Sequence, residues 1–220
     1  EYQTNDQYRI LIHFFDQLEL LTSFQITLGT LLRFIDAVHK KYLNVPFHNF
    51  SYAVDATQFV FYELKEGQLT KYFSKVDLLV LLVACLCHDL GFSISQNAFN
   101  EQAQIPLSVL YKEQPVLETF HCSEIIRVVA RPSCNILANL DSVQLQDFWM
   151  SLMDCILAAD VSQYSKILEK AEMILNKAKG PFDLKVMQNK NLLLKILVQC
   201  AIHANVIRDF DPEMPWCTLI

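Results

Sequence analysis

The sequence predicts an all-α fold, a compact bundle of many helices, and three observations predict it. Only four glycines and seven prolines punctuate 220 residues, too few for the turns that an all-β chain needs. Apolar residues recur every three or four positions in segment after segment. The 52% hydrophobic content suffices to bury a substantial core in one domain, residues 1–220, with no linker, repeat or low-complexity tract to divide it.

The elements follow in chain order. Amphipathic spacing runs from about Tyr8 to Leu21 and from Ile26 to Tyr42, until Pro46 breaks it. A third helix is predicted from about Asn49 to Leu64, with Gly67 placed as a C-cap. Ser74 with Asp77 resembles a capping box and opens a nearly continuous apolar run, Leu78 to Cys87, which must lie at the centre of the domain. Short pieces lead past Pro106 to a helix from Val116 to Ala130, closed by Arg131-Pro132. Ser142 is expected to cap a long segment, Leu145 to Lys179, bent near Asp160 to Ser162 and ended at Gly180. A last helix covers about Asn191 to Ile207, before Pro212 and Pro215.

Charge narrows the function classes. A net charge of −6 argues against a nucleic-acid surface, which needs clustered cations. The Lys40-Lys41 pair reads as a solvated helix end. Apolar runs stop short of the roughly 20 residues that span a bilayer, so no membrane span is predicted. No signal-peptide pattern opens the chain, although a start at Glu1 rather than Met suggests numbering from inside a longer polypeptide. The seven cysteines are odd in number, and Cys85 and Cys87 are spaced C-x-C with no matching pair for a zinc knuckle. Most sit in apolar runs as small hydrophobes, which points to a reducing, cytoplasmic compartment.

The informative polar residues stand at the ends of greasy helices. His88 and Asp89 close the central apolar run, where imidazole and carboxylate can both be offered to a divalent metal, or can serve as a hydrogen-bonded helix end. About 40 residues upstream lies Phe47-His48-Asn49-Phe50-Ser51-Tyr52-Ala53-Val54-Asp55. This stretch resembles the Tyr-His-Asn-x-x-His-Ala signature of the class I cyclic-nucleotide phosphodiesterases, whose catalytic domain has the HD-type metallohydrolase fold. The resemblance continues in His88-Asp89-Leu90-Gly91-Phe92, where that family has His-Asp-x-Asp-His, and in Asn97. It extends through Pro106 to Tyr111, Val116 to His121, and Ile156 to Asp160. These fragments run in order from about residue 30 to about residue 208.

The resemblance implies a helical pocket holding zinc and usually magnesium, whose bridging hydroxide attacks the cyclic phosphate of cAMP or cGMP. It makes His48 the acid that protonates the leaving oxygen, and Glu118 the carboxylate that orients His48. Of the four zinc ligands it keeps His88 and Asp89. The first ligand histidine falls on Tyr52, and the last aspartate falls on Ile202, within Cys200-Ala201-Ile202-His203-Ala204-Asn205. No Asp or Glu occurs between Asp183 and Asp209, so the second loss does not depend on alignment. His203 is one step, about 100°, around a helix from the required position. Gly91 and Phe92 replace an acidic residue and a histidine that help hold the second metal. His121 and Asp160 match the family but read as packing polar residues, and His13 and His39 as surface or core histidines. The family domain continues for about another 100 residues, so its C-terminal third lies outside this sequence.

These departures lead to the expectation of a pseudoenzyme: a phosphodiesterase-like scaffold without a tightly bound metal, working with protein partners or in a larger assembly. An active phosphodiesterase with an atypical metal site is the alternative. A cyclic-nucleotide sensor that binds without cleaving is a third.

Overall fold

The computed structural model describes residues 4–45, 48–91, 116–177 and 183–204. Pro46, Phe47, Phe92, Asn97, the Pro106 to Tyr111 fragment, Gly180 and everything from Asn205 onward lie outside the described residues. Among those described, the regular structure is helical throughout, with α-helices joined by short loops and 3₁₀ turns.

The helices are α1 (Thr4–Gln17), α2 (Leu20–Ser23), α3 (Leu28–His39), α4 (Phe50–Glu66), α5 (Lys75–Cys87), α6 (Val116–Val129), α7 (Ser142–Leu157), α8 (Tyr164–Lys177) and α9 (Met187–Ile202). Short 3₁₀ turns occupy Leu69–Tyr72, Pro132–Cys134 and Val161–Gln163. Asn49 caps α4 by accepting from the Tyr52 amide, and the Ser74–Asp77 capping box is formed at α5. Gly67 occupies the C-cap of α4 but with φ −72°, and it is Gln68 that takes the left-handed conformation at φ 51°. Three boundaries differ from expectation. The run from Tyr8 to Leu21 is two helices, α1 and α2, parted where Glu19 takes the left-handed conformation at φ 58°. The cap of α7 is Asp141, whose Oδ1 accepts from the Val143 and Gln144 amides at 2.9 Å, because a carboxylate accepts two amides better than the hydroxyl of Ser142 next to it. The long segment after it is two helices, since Asp160 accepts from the Ser162 amide and hydroxyl and tightens the chain into a 3₁₀ turn.

Helix α5 is the axle of the fold. From Asp77 to Cys87 every side chain is buried. A helix apolar on all faces needs partners all round, and α5 has them in α2, α4, α7 and α9. The carbonyls at its C-terminal end, which a helix cannot satisfy itself, are taken up by side chains. The Tyr42 hydroxyl donates to the Leu86 carbonyl at 2.8 Å and His88 Nδ1 to that of Cys85 at 2.9 Å, so the chain leaves α5 in a fixed direction.

Lys40 and Lys41 part company. Lys40 is exposed and pairs with Asp36 at 2.6 Å, as a solvated helix end does. Lys41 instead crosses to α6, where it and Arg127 pair with the buried Glu124. The solvated reading fails for Lys41 because its long stem carries the ammonium to a carboxylate that would otherwise be buried without a countercharge.

Candidate functional site

Four segments bring the sequence-predicted residues together. The α5 terminus supplies His88 and Asp89, the turn before α4 supplies His48, the first turn of α4 supplies Tyr52, and the end of α9 supplies Ile202. Asp89 is the hub. Its Oδ2 lies 2.7 Å from His48 Nδ1 and 3.1 Å from His88 Nε2. Burial alone pushes the Asp89 carboxyl up, but the two imidazoles outweigh it and hold the group well below the usual carboxylate range.

His88 is only 3% exposed. Since its Nδ1 donates to a carbonyl, Nε2 carries the lone pair in the neutral ring. That atom is sealed from solvent and makes no aligned hydrogen bond, its contact with Asp89 being electrostatic. A lone pair facing a carboxylate repels it unless a cation, a proton or a metal, stands between. Burial lowers the basicity of His88, and the Asp89 charge, the Asp89 contact and the Cys85 carbonyl together more than reverse this, so its pKa is raised. His121 is buried and donates Nδ1–H to the Leu90 carbonyl at 2.7 Å, a packing role that fixes the residue after Asp89. Burial, the largest influence, depresses its basicity.

Tyr52 stands beside this group, its ring centroid 5.7 Å from that of His88. Its hydroxyl donates to the backbone carbonyl of Ile202, so the two residues at the expected ligand positions are joined to each other. Burial first, and then Asp89 and Asp55, push the phenol up to about 12. The Ile202 side chain is 7% exposed and part of the core. His203 Nδ1 bonds the Gln199 carbonyl of its own helix at 2.9 Å. Gly91 has φ +78°, and a Cβ built there would meet Phe120 Cε1 at 2.9 Å, so a side chain here would strain the backbone and displace that ring.

Glu118 lies half-buried in the first turn of α6, one turn before His121. Asp160 is the cap described above. His39 stacks on Phe50 at 4.1 Å and bonds the Tyr8 hydroxyl at 3.0 Å, a core role, and His13 lies beside Phe14 and Phe61. Among the described residues, no three or more His, Cys, Asp or Glu side chains are grouped so as to hold a metal ion. No helix among the described residues is long and apolar enough to cross a membrane. Sequence reasoning missed Tyr42 and the Tyr52–Ile202 bond. Tyr42 carried no signal beyond ending an amphipathic run, and the bond joins residues 150 positions apart.

A sequence profile for 3'5'-cyclic nucleotide phosphodiesterase matches residues 47–220. The chain is similar to the high affinity cGMP-specific 3',5'-cyclic phosphodiesterase 9A of Mus musculus, 30% identical over 215 residues, 98% of this chain and 40% of that protein. It is also 30% identical over 217 residues to the 3',5'-cyclic-nucleotide phosphodiesterase regA of Dictyostelium discoideum, spanning 27% of its length. In three dimensions it matches the phosphodiesterase domain of the RhoPDE fusion protein of the choanoflagellate Salpingoeca rosetta. The TM-score is 0.91 at 26% identity, covering 96% of this chain and 66% of that one.

Proposed function

This chain belongs to the 3',5'-cyclic nucleotide phosphodiesterase family, and from that premise we propose that it is a catalytically degenerate member, a helical scaffold that works by contact with protein partners. The single observation that carries the reading is the Tyr52–Ile202 bond. Where the family signature calls for an imidazole and a carboxylate, the chain has a phenol and a branched alkyl group, and the phenol spends its proton on the backbone of the other. A phenol held near 12 does not ionise at neutral pH, so it offers zinc a poor donor. Two of four donors remain, His88 and Asp89. Structural zinc sites in favourable cases are worth about 10–16 kcal/mol, and half a donor set keeps a minor part of that. Gly91 adds to the case, because the acidic residue expected there cannot be accommodated without moving Phe120. The residues present therefore do not fit a tightly held zinc and magnesium pair.

The cytoplasmic setting and the protein partners belong to the same proposal; cyclic-nucleotide recognition is the family trait that it would retain in part or lose. His48 and Glu118 are its vestigial acid and orienting carboxylate. The test is restoration. Tyr52→His with Ile202→Asp is expected to raise zinc affinity at least tenfold over the unaltered chain, measured by competition with a chromogenic chelator. Equal, tight zinc binding by both forms would sink the reading.

One observation favours the alternative of an active metallophosphodiesterase. His88 has its tautomer set by the Cys85 carbonyl and its Nε2 buried and unsatisfied, as a metal ligand would. That reading predicts that His88→Ala abolishes hydrolysis of cAMP or cGMP by the full-length protein.

A further inference from the structure

Helix α8 carries more apolar face than its neighbours cover. Tyr164, Ile167, Leu168, Ala171, Ile174 and Leu175 recur at spacings of three and four, which makes a stripe about 120° wide at 100° per residue. One flank of the stripe is in use: Ile167 is buried, and Ala171 and Ile174 pack beside it against Ala158 and, from α9, Leu192. The other flank is bare. Tyr164 is 50% exposed, Leu168 41% and Leu175 60%, and the three fall within about 40° of one another around the helix. Charge is sorted by the same division. Glu172 and then Glu169, both exposed, follow the bare flank around the helix, whereas Lys170 and Lys166 lie beyond the flank that packs on α9.

We propose that the bare flank of α8 is the docking surface for an amphipathic helix of a protein partner, apolar on one face and edged with lysine or arginine. It rests on the reading of the chain as a scaffold that works by protein contact, and places that contact on α8. A stripe wider than one neighbour covers suits a second helix laid alongside, its own apolar residues spaced at three and four against Tyr164, Leu168 and Leu175. Burial of those side chains supplies the affinity, and the glutamate edge selects the partner. A cationic edge beside Glu169 and Glu172 is attracted, and an anionic one is repelled. The same edge argues against a second copy of this chain: with two α8 helices antiparallel about a twofold axis, glutamate would face glutamate.

The test is a titration of the isotope-labelled full-length protein, read by backbone amide shifts, with two synthetic amphipathic peptides of about 18 residues. One is built of leucine and lysine, and the other has glutamate in place of every lysine. The leucine-lysine peptide should give saturable shifts confined to α8 and the adjoining face of α9, with a dissociation constant of about 1–100 μM. The leucine-glutamate peptide should bind at least tenfold more weakly. Leu168→Ser with Leu175→Ser, at exposed positions where the far-UV circular dichroism should not change, should weaken binding at least tenfold. Glu169→Lys with Glu172→Lys should reverse the preference between the peptides. Absence of saturable shifts at about 1 mM peptide, shifts centred elsewhere, equal affinity for the two peptides, or a dimer in sedimentation that the serine variant abolishes would each overturn the proposal. Zinc content and turnover of the same preparation keep the two readings apart. A zinc-free, inactive protein that ignores both peptides loses the docking surface and keeps the scaffold reading, whereas a zinc-loaded, active one loses the scaffold reading whatever the peptides do.

Discussion

The two ends of α5 are built to different standards. At its N-terminus the capping side chains are fully partnered: the Ser74 hydroxyl and amide meet one Asp77 oxygen, and the other takes the Lys190 ammonium at 2.9 Å. At the C-terminus one aspartate oxygen is shared by two imidazoles, His88 Nε2 is left without a hydrogen bond, and Gly91 sits in a left-handed turn against Phe120. A fold selected for stability alone tends to resemble the first end. The second end gathers two imidazoles on one buried carboxylate, the arrangement on which the proposed reading turns.

The largest effect should come from breaking the well-made end. Asp77→Ala removes a capping box and a buried ion pair at once, Asp77 being 5% exposed in its side chain, and should cost about 3–5 kcal/mol in urea unfolding. A loss below about 1 kcal/mol would mean that the two ends do not differ as described.

At the other end, Tyr52→Phe keeps the ring and removes the hydroxyl that ties α4 to α9. The Ile202 carbonyl then loses its donor, and the expected loss is about 1–2 kcal/mol with no change in metal affinity. If the variant instead bound zinc more weakly, the phenol would be acting as a ligand, and the contrast would close.

Local signals were readable: the Ser74–Asp77 box, the start of the third helix near Asn49, the stop after Cys87 and the apolar run of α5 all lie within a few residues of what causes them. The Asp141 cap was missed by one position because Asp-Ser offers two adjacent capping side chains, and only backbone direction decides between them. The pairing of His88 with Asp89 was legible in the motif. What was not legible depended on closure of the whole bundle: Lys41 reaching Glu124 on α6, Tyr42 reaching α5, and Tyr52 reaching Ile202. Periodicity says which face of a helix is apolar, but not which distant backbone atom a polar tip will find.

The smallest effect concerns Glu63, near the C-terminal end of α4. One carboxylate oxygen is buried without a partner, burial pushes the group up to about 8, and its charge is felt by the Cys85 and Cys200 thiols. A carboxyl whose folded pKa is raised binds its proton more tightly in the folded state. Stability should therefore be full below the unfolded value near 4.5 and fall as pH rises toward 8. Part of the side chain is still wet, so the effect should be on the order of 1 kcal/mol. Glu63→Gln should flatten that slope between pH 5 and 8, as thermal unfolding in a pH series would reveal.

The proposed reading turns on whether the cluster at the C-terminal end of α5 holds a dication tightly. Its most direct test is the zinc content of the full-length protein, loaded with equimolar zinc, passed over a desalting column and measured by mass spectrometry alongside a cAMP and cGMP turnover assay. The account predicts far less than one zinc per chain and no hydrolysis above buffer. One retained zinc per chain, with turnover that disappears in His88→Ala, would contradict it.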